Sequence, residues 1–208
     1  MPNQKPIRTS TLGSLRDHIA DAKDPVAGGV AVAAVCAGLG MALLALTLQV
    51  ASRRKNFSGD RARFTKLLDA ANKESARLLR YAEQDVAVYQ RYRDNLKRKR
   101  GIDAALRRII ESPLAAAGSA ARGVDICADA VTLVPLSVVS DLGAAATLLA
   151  GGVRAILLTV DVNIGQLPAA SKLRRIAGKK RRELERGATR QVEGVLRKVA
   201  RLTQGDGE

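Results

Sequence analysis

Two acidic residues, Asp85 and Asp141, lie in segments that the sequence predicts to be helical and largely apolar. Asp85 occupies an inward position of an apolar stripe that runs from Phe64 to Leu96 in alternating steps of four and three residues. A carboxylate there must be hydrogen-bonded, ion-paired or open to a cleft, because burying it bare is too costly. If its surroundings are apolar, the pKa of Asp85 is raised and the carboxyl is suited to acid/base chemistry. The plainer alternative is a structural role, in which Asp85 bonds to a basic side chain or to a helix end.

The second long apolar stretch, from Val131 to Ile164, is broken by polar residues, and these are the strongest functional signal in the chain. They are Ser140, Asp141, Arg154, Asp161 and Asn163. If one helix continues through them, Asp141 and Asn163 share a face, and Arg154 and Asp161 lie two turns apart on an adjacent face. The plainer alternative is that Ser140 caps a helix starting at Asp141 and that Arg154 is a surface residue with a buried stem.

The element that must position these residues is the uncharged run from Gly28 to Ser52. It is long enough to span a membrane, and the basic residues Arg53 to Lys55 follow it. Its Ala, Gly and Val side chains favour close contact between helices, so we expect the core helix of a bundle instead. At the start of this helix, Gly28 and Gly29 would leave backbone N–H groups free to bind an anion or the polar edge of a ligand. The alternative is that the two glycines only allow close packing where the helix begins.

The rest of the chain also predicts helices. We expect a long helix from Ser58 or Asp60 to about Arg98, another that starts at Ser112-Pro113, and a basic C-terminal helix over 168–204. Residues 1–10 are expected to be a loose tail. No alternating β pattern of useful length occurs, so the fold class is all α: one domain over 1–208, a compact helical bundle built around the apolar helix at about 28–52.

Composition narrows the classes of function. The formal net charge is +15, yet the chain has no Trp and 2% aromatic residues, so a nucleic-acid partner is not expected. His18 is the single histidine. A zinc site would therefore lack ligands, and a catalytic triad would depend on His18 alone, so we expect neither a metal site nor a His-dependent triad. Cys36 and Cys127 are interpreted as small buried hydrophobes in a reducing compartment. No secretory signal is visible, so we expect a cytoplasmic protein without a membrane partner.

The order of these motifs resembles that of the cyclodeaminase/cyclohydrolase family, which includes the cyclodeaminase part of formiminotransferase-cyclodeaminase. The resemblance covers about Thr11 to Leu167 and is most specific from Val139-Ser140-Asp141-Leu142-Gly143 to Asn163. Asp85-Val86-Ala87-Val88-Tyr89 matches the family's Asp-x-x-Ala-aromatic pattern loosely. The chain departs from the family in its glycine-poor segment at Gly28-Gly29 and in having Thr159 where the family has the first Asn of Asn-x-x-x-Asn.

The resemblance implies a helical bundle, usually a homodimer, with a tetrahydrofolate cleft and no further cofactor. It implies Asp141 as the acid/base catalyst and Asp85 as its partner or orienting group. The implied substrate-binding residues are Gly28 and Gly29 beside the pterin, Asn163 at a ring edge, and Arg54, Lys55 and Arg154 at the glutamate tail, together with Tyr89, Ser140 and Asp161.

Three functions remain open at this point. The first is a folate one-carbon enzyme that hydrolyses or forms the methenyl bridge of tetrahydrofolate by carboxylate acid/base chemistry. The second is a diverged member of the fold that catalyses another cyclisation, dehydration or amine elimination on a small molecule. The third is a non-catalytic binding or membrane-associated protein in which Lys172 to Arg186 meets anionic surfaces.

Overall fold

A computed structural model describes residues 7–21, 28–54 and 60–204, and every regular element in these ranges is helical. The α-helices are α1 (Leu12–Ala20), α2 (Gly29–Ser52), α3 (Arg61–Arg98), α4 (Ile102–Ala130), α5 (Val139–Gly165) and α6 (Lys172–Gln204). Short 3-10 turns lie at Ile7–Thr9 and Leu136–Val138. The all-α prediction is confirmed.

Four helices form the core, in which α2 and α4 each pack against both α3 and α5. Helix α6 lies over the seam between α4 and α5. Helices α2 and α5 are antiparallel, because Gly40 of α2 faces Ala145 whereas Ala33 faces Gly152, further along α5. This arrangement fixes which ends of the helices meet, and therefore which polar residues can share a site.

Small residues let the core helices approach closely. A Cβ at Gly152 would lie 2.9 Å from that of Ala37, and a Cβ at Gly123 would lie 2.5 Å from the Met41 side chain. The Ala- and Gly-rich composition of α2 therefore serves helix contact, as predicted. The helix is not buried on every side, however, because Leu39 and Leu46 are 55% and 49% exposed.

Several local predictions need correction. Helix α4 begins at Ile102, so Pro113 lies inside it instead of starting a helix. Ser140 does not cap α5, because the N-cap is Val138 and the helix begins one residue before Ser140. Cys36 is exposed, whereas Cys127 is buried as expected. Ile7, in the predicted loose tail, is packed into a small apolar cluster with α2.

Helices α2 and α5 also have the length and composition of membrane spans: the qualifying segments are Gly29–Ser52 and Leu136–Gly165. Only 56% of each apolar window is buried inside the bundle. Core helices of soluble proteins meet the same criterion, and the rest of each window lies on the surface of the bundle.

Candidate functional site

The first turn of α2 meets Asp85, which projects from α3. The N-cap of α2 is Gly28, which offers no side-chain hydrogen bond to the free N–H groups of the helix. The carboxylate of Asp85 accepts a hydrogen bond from the backbone N–H of Ala31 and so supplies the missing cap. The plainer alternative considered for Asp85, attachment to a helix end, is therefore what the structure shows.

This position also changes the acidity of Asp85. Burial raises the pKa of its carboxyl to about 6, and the hydrogen bond from Ala31 opposes that shift only in part. A carboxyl with this pKa is populated in both protonation states near neutral pH, which is what a general acid or base requires. Capping and acid/base chemistry are thus compatible roles for the one side chain.

Gly28 and Gly29 border an apolar groove of about 510 Å³ between α2 and α5. Its other lining residues come from α1, α2 and α5: Ile19, Val32, Ala33, Cys36, Thr147, Leu148, Gly151, Gly152 and Ala155. A Cβ on Gly28 or Gly29 would meet nothing within 4 Å, so packing does not require glycine at either position. What the pair gives the groove is an exposed helix start with no side chain in front of it.

Asp141 lies far from Asp85 within one chain. It stands in the first turn of α5, one turn before Ala145, and therefore lies level with about Leu44 of α2. Asp85 is level with Ala31, so the two carboxylates are separated by about 20 Å along the helix axis. The structure does not bring them together in one chain, and the expected direct partnership between them is not formed there.

The other predicted binding residues are spread over the molecule. Arg54 is exposed beyond the end of α2, near the Asp141 end, and Lys55 lies outside the described residues. Tyr89 is 55% exposed, one turn beyond Asp85 on α3. Ser140 is exposed beside Asp141. Arg54 and Ser140 thus lie toward the Asp141 end of the bundle, and Tyr89 lies toward the Asp85 end.

Arg154 and Asp161 connect α5 to α6. The guanidinium of Arg154 donates to the Thr189 hydroxyl at 3.2 Å, and Asp161 accepts from Arg181 at 2.8 Å. The pKa of Arg181 is raised, chiefly by its hydrogen bond with Asp161. Both of these polar residues of α5 are exposed and bond side chains of α6 at the surface of the bundle.

Asn163 replaces a hydrogen-bond donor that α4 lacks at an internal proline. Pro113 lacks the N–H that would bond the carbonyl of Ile109 in a regular helix. The side-chain amide of Asn163 donates to that carbonyl at 2.7 Å, and Asn163 is 8% exposed. Asn163 thus holds α5 against α4, and a signal for this role was available in the sequence because an internal proline leaves an acceptor unpaired four residues earlier.

Sequence reasoning missed Glu74, which is 5% exposed and the most buried carboxylate in the part of the chain that the structure describes. It accepts two hydrogen bonds from Arg122, at 2.9 and 2.7 Å, one from Arg77 at 2.6 Å and a short one from the Ser119 hydroxyl. Burial raises the pKa of Glu74, but the bonds from Arg122 and Ser119 outweigh it and the net shift is downward. The cluster clamps α3 to α4, and no spacing within either helix reveals it.

A second groove, of about 610 Å³, separates α4 from α6. Asp125 lines it, and burial raises the pKa of this carboxyl although Gln191 donates a hydrogen bond to it. Lys179 and Lys180 line the same groove, and none of the predicted site residues does. The α2–α5 groove is therefore the better candidate site although it is smaller. Among the described residues, no group of His, Cys, Asp and Glu side chains is arranged to hold a metal ion.

Two comparisons with known proteins give a match, one to a protein family and one to a solved structure. The sequence profile of the formiminotransferase-cyclodeaminase family matches residues 11–182. The crystal structure of formiminotetrahydrofolate cyclodeaminase from Thermotoga maritima superimposes with a TM-score of 0.81 at 18% identity, covering 96% of this chain and 98% of that one. No curated protein sequence is similar enough to count as a match. The structural likeness shows a common fold, and because the profile spans most of its length the chain belongs to the formiminotransferase-cyclodeaminase family.

Proposed function

We propose that this protein is a folate one-carbon enzyme of the cyclodeaminase/cyclohydrolase type, which forms or opens the methenyl bridge of tetrahydrofolate. Family membership supports the substrate class. The observation that carries the chemistry is Asp85, a carboxyl with a pKa of about 6 at the glycine-flanked start of α2. We assign the main proton transfer to Asp85 and not to Asp141, which reverses the roles expected from sequence.

The reaction needs little beyond proton transfer. In cyclodeamination the secondary amine nitrogen N10 attacks the carbon of the protonated formimino group on N5, a new C–N10 bond forms, and the bond from that carbon to the terminal formimino nitrogen breaks. The attacking nitrogen loses a proton and the departing ammonia gains one, so a single carboxyl can act first as base and then as acid. In cyclohydrolysis water attacks the same carbon and one ring C–N bond opens.

The second part of the proposal is that the active site forms between two copies of the chain. One side of α2 and α5, hereafter the α2–α5 face, is apolar and uncovered: Leu39, Leu46, Leu148 and Leu158 are 55%, 49%, 43% and 66% exposed. Several large exposed apolar side chains on neighbouring helices favour a surface that pairs with another subunit. A homodimer across this face would cover it.

A two-fold axis perpendicular to α2 brings opposite ends of the two bundles together. Asp85 of one chain then approaches Asp141 of the other, although the two residues are about 20 Å apart within one chain. Each dimer gains two such sites. The polar residues at both ends of the bundle thereby take part in one reaction, which a monomer does not allow.

The experiment follows loss of the methenyl chromophore of 5,10-methenyltetrahydrofolate against its spontaneous hydrolysis, and release of ammonia from 5-formiminotetrahydrofolate. We expect acceleration of at least one reaction by the native protein and none by Asp85→Asn or Asp141→Asn. The two inactive variants are then unfolded, mixed and refolded together. Recovery of up to about a quarter of native activity indicates a shared site, because half of the dimers are mixed and each has one intact site. No recovery, with mixed dimers present, would refute the two-chain site.

One observation favours a diverged substrate as the second candidate. Three of the implied folate contacts have hydrogen-bond partners within the chain: Asn163 is buried and bonds a carbonyl of α4, whereas Arg154 and Asp161 are exposed and bond side chains of α6. A family member with those side chains engaged can catalyse another cyclisation or amine elimination in the same groove. Calorimetry with tetrahydrofolate separates the two candidates: binding supports the folate enzyme, and absence of binding by the folded dimer supports the diverged one.

A further inference from the structure

A straight row of basic side chains runs along the exposed face of α6, hereafter the α6 basic stripe. It consists of Lys172, Arg175, Lys179, Arg182, Arg186, Arg190, Arg197 and Arg201, all exposed. Successive spacings of three, four or seven residues keep them on one side of the helix, within about 100° of arc. The row is about 44 Å long at the rise of an α-helix.

The stripe carries more positive charge than the nearby acidic side chains neutralise, although Asp125 of α4 interacts with Arg190. Glu183 and Glu193 share this side of α6, and Glu183 lies 3.8 Å from Lys179. Eight basic residues against two acidic ones leave a large surplus. The opposite side of α6, with Ala177, Ala188 and Val195, is buried against the core. The charges are therefore held in line on a rigid helix.

We propose that the α6 basic stripe binds the phosphate backbone of double-stranded nucleic acid without reading its sequence. Six of its eight basic residues are arginine, whose planar guanidinium pairs with phosphate through two hydrogen bonds. A duplex is a stiff, regularly charged rod, and about 44 Å corresponds to roughly 13 base pairs. A linear row of cations on a stiff helix matches that shape.

Two features favour a duplex over other polyanions. Helix α6 contains no aromatic residue, so it offers no platform on which single-stranded bases could stack. The stripe itself carries no large apolar side chain to insert into a bilayer, and its charges form a line instead of a sheet. The scarcity of aromatic residues disfavours base stacking, whereas contacts with phosphate need no aromatic side chain.

The test measures fluorescence anisotropy of a labelled 30-base-pair duplex of arbitrary sequence, titrated with the full chain at several salt concentrations. The stripe variant combines Arg175→Gln, Arg182→Gln and Arg186→Gln. A matched control, Lys66→Gln, Lys73→Gln and Arg80→Gln, removes the same charge from exposed positions on α3. Circular dichroism establishes that both variants fold, and neither alters the proposed active site.

We expect native affinity to fall steeply with salt, a loss of about tenfold or more in the stripe variant, and a shallower salt slope in that variant by about three. The control should keep most of its affinity. Equal losses in the two variants would show that only net charge matters and would overturn the proposal. Tighter binding to single-stranded DNA, or to vesicles containing phosphatidylglycerol, would also overturn it, as would no binding to the duplex at low salt.

Discussion

Replacing Asp85 by Asn should abolish catalysis and at the same time stabilise the fold. The carboxyl has a pKa of about 6 in the folded protein, against an ordinary value of 3.8. Because the folded state holds the proton more tightly, Asp85 costs no stability below about pH 4, and its cost grows as the pH rises from about 4 to 6. Above about pH 6 the full cost is present, since the carboxylate is then ionised in a partly apolar place.

The size of this effect follows from the shift in pKa. About two pH units correspond to at most about 3 kcal/mol, and partial exposure of Asp85 reduces the expected gain to about 1.5 kcal/mol. For a domain of this length that is a rise in Tm of roughly 3–6 °C. Asn keeps a side-chain oxygen that can accept from the Ala31 N–H, so the cap on α2 need not be lost.

The measurement is thermal unfolding of native protein and Asp85→Asn between pH 4 and pH 8. We expect the two melting temperatures to converge at pH 4 and the variant to be more stable at pH 8. Asp94→Asn, at an exposed position of the same helix, serves as control and should show no such pH dependence. A variant that melts lower than native protein at pH 8 would mean that the carboxylate is a net stabilising group, and the reasoning would be wrong. If Asp85 acts first as a base, native turnover should rise through about pH 6 and then level off.

Three further predictions concern the rest of the bundle. Asn163→Ala should cost about 1–3 kcal/mol by leaving the Ile109 carbonyl unpaired, and much less in a Pro113→Ala background where a backbone N–H is restored; equal costs in a denaturant double-mutant cycle would contradict this. Glu74→Gln should cost about 1–3 kcal/mol at pH 7 and progressively less as the pH falls below 4.5, because the pKa of Glu74 is lowered in the folded state and its contribution is lost as the carboxylate is protonated; a cost that does not change as the pH falls would refute it. Leu39→Glu should convert the proposed dimer into a monomer in sedimentation experiments and remove activity, whereas a dimer that this change leaves intact would exclude the α2–α5 face as its interface.

The helices were predictable because their signals are local. Apolar periodicity, the Asp60 cap and the turn at Lys99 to Gly101 determine where α3 begins and ends. The uncovered side of α2 was not predictable, because an all-apolar helix gives no periodicity from which to tell a packed side from an open one. Pro113 was placed at a helix start because that is its usual position, whereas here another helix supplies the donor that makes an internal proline tolerable.

The polar residues of the candidate site could be predicted from the sequence, but their partners could not. Sequence shows that a polar residue in an apolar helix needs a partner, but it does not show whether that partner is a substrate or another helix. In α5 the partners of Arg154, Asp161 and Asn163 are side chains and a carbonyl of the bundle. These residues hold helices together here, whatever they do in relatives.

Asp85 differs because its partner is a helix start that lies next to a groove. The bond from Ala31 only partly offsets the cost of burial, so the carboxylate remains able to take up a proton. Glu74 shows the opposite case. Two arginines and a serine donate hydrogen bonds to its carboxylate, so its pKa is lowered and it is a poor base. We take a partly buried carboxylate with too few hydrogen bonds, at a helix start whose glycines border a groove, as the physical sign of function in this bundle, and it distinguishes Asp85 in a way that the sequence pattern alone did not.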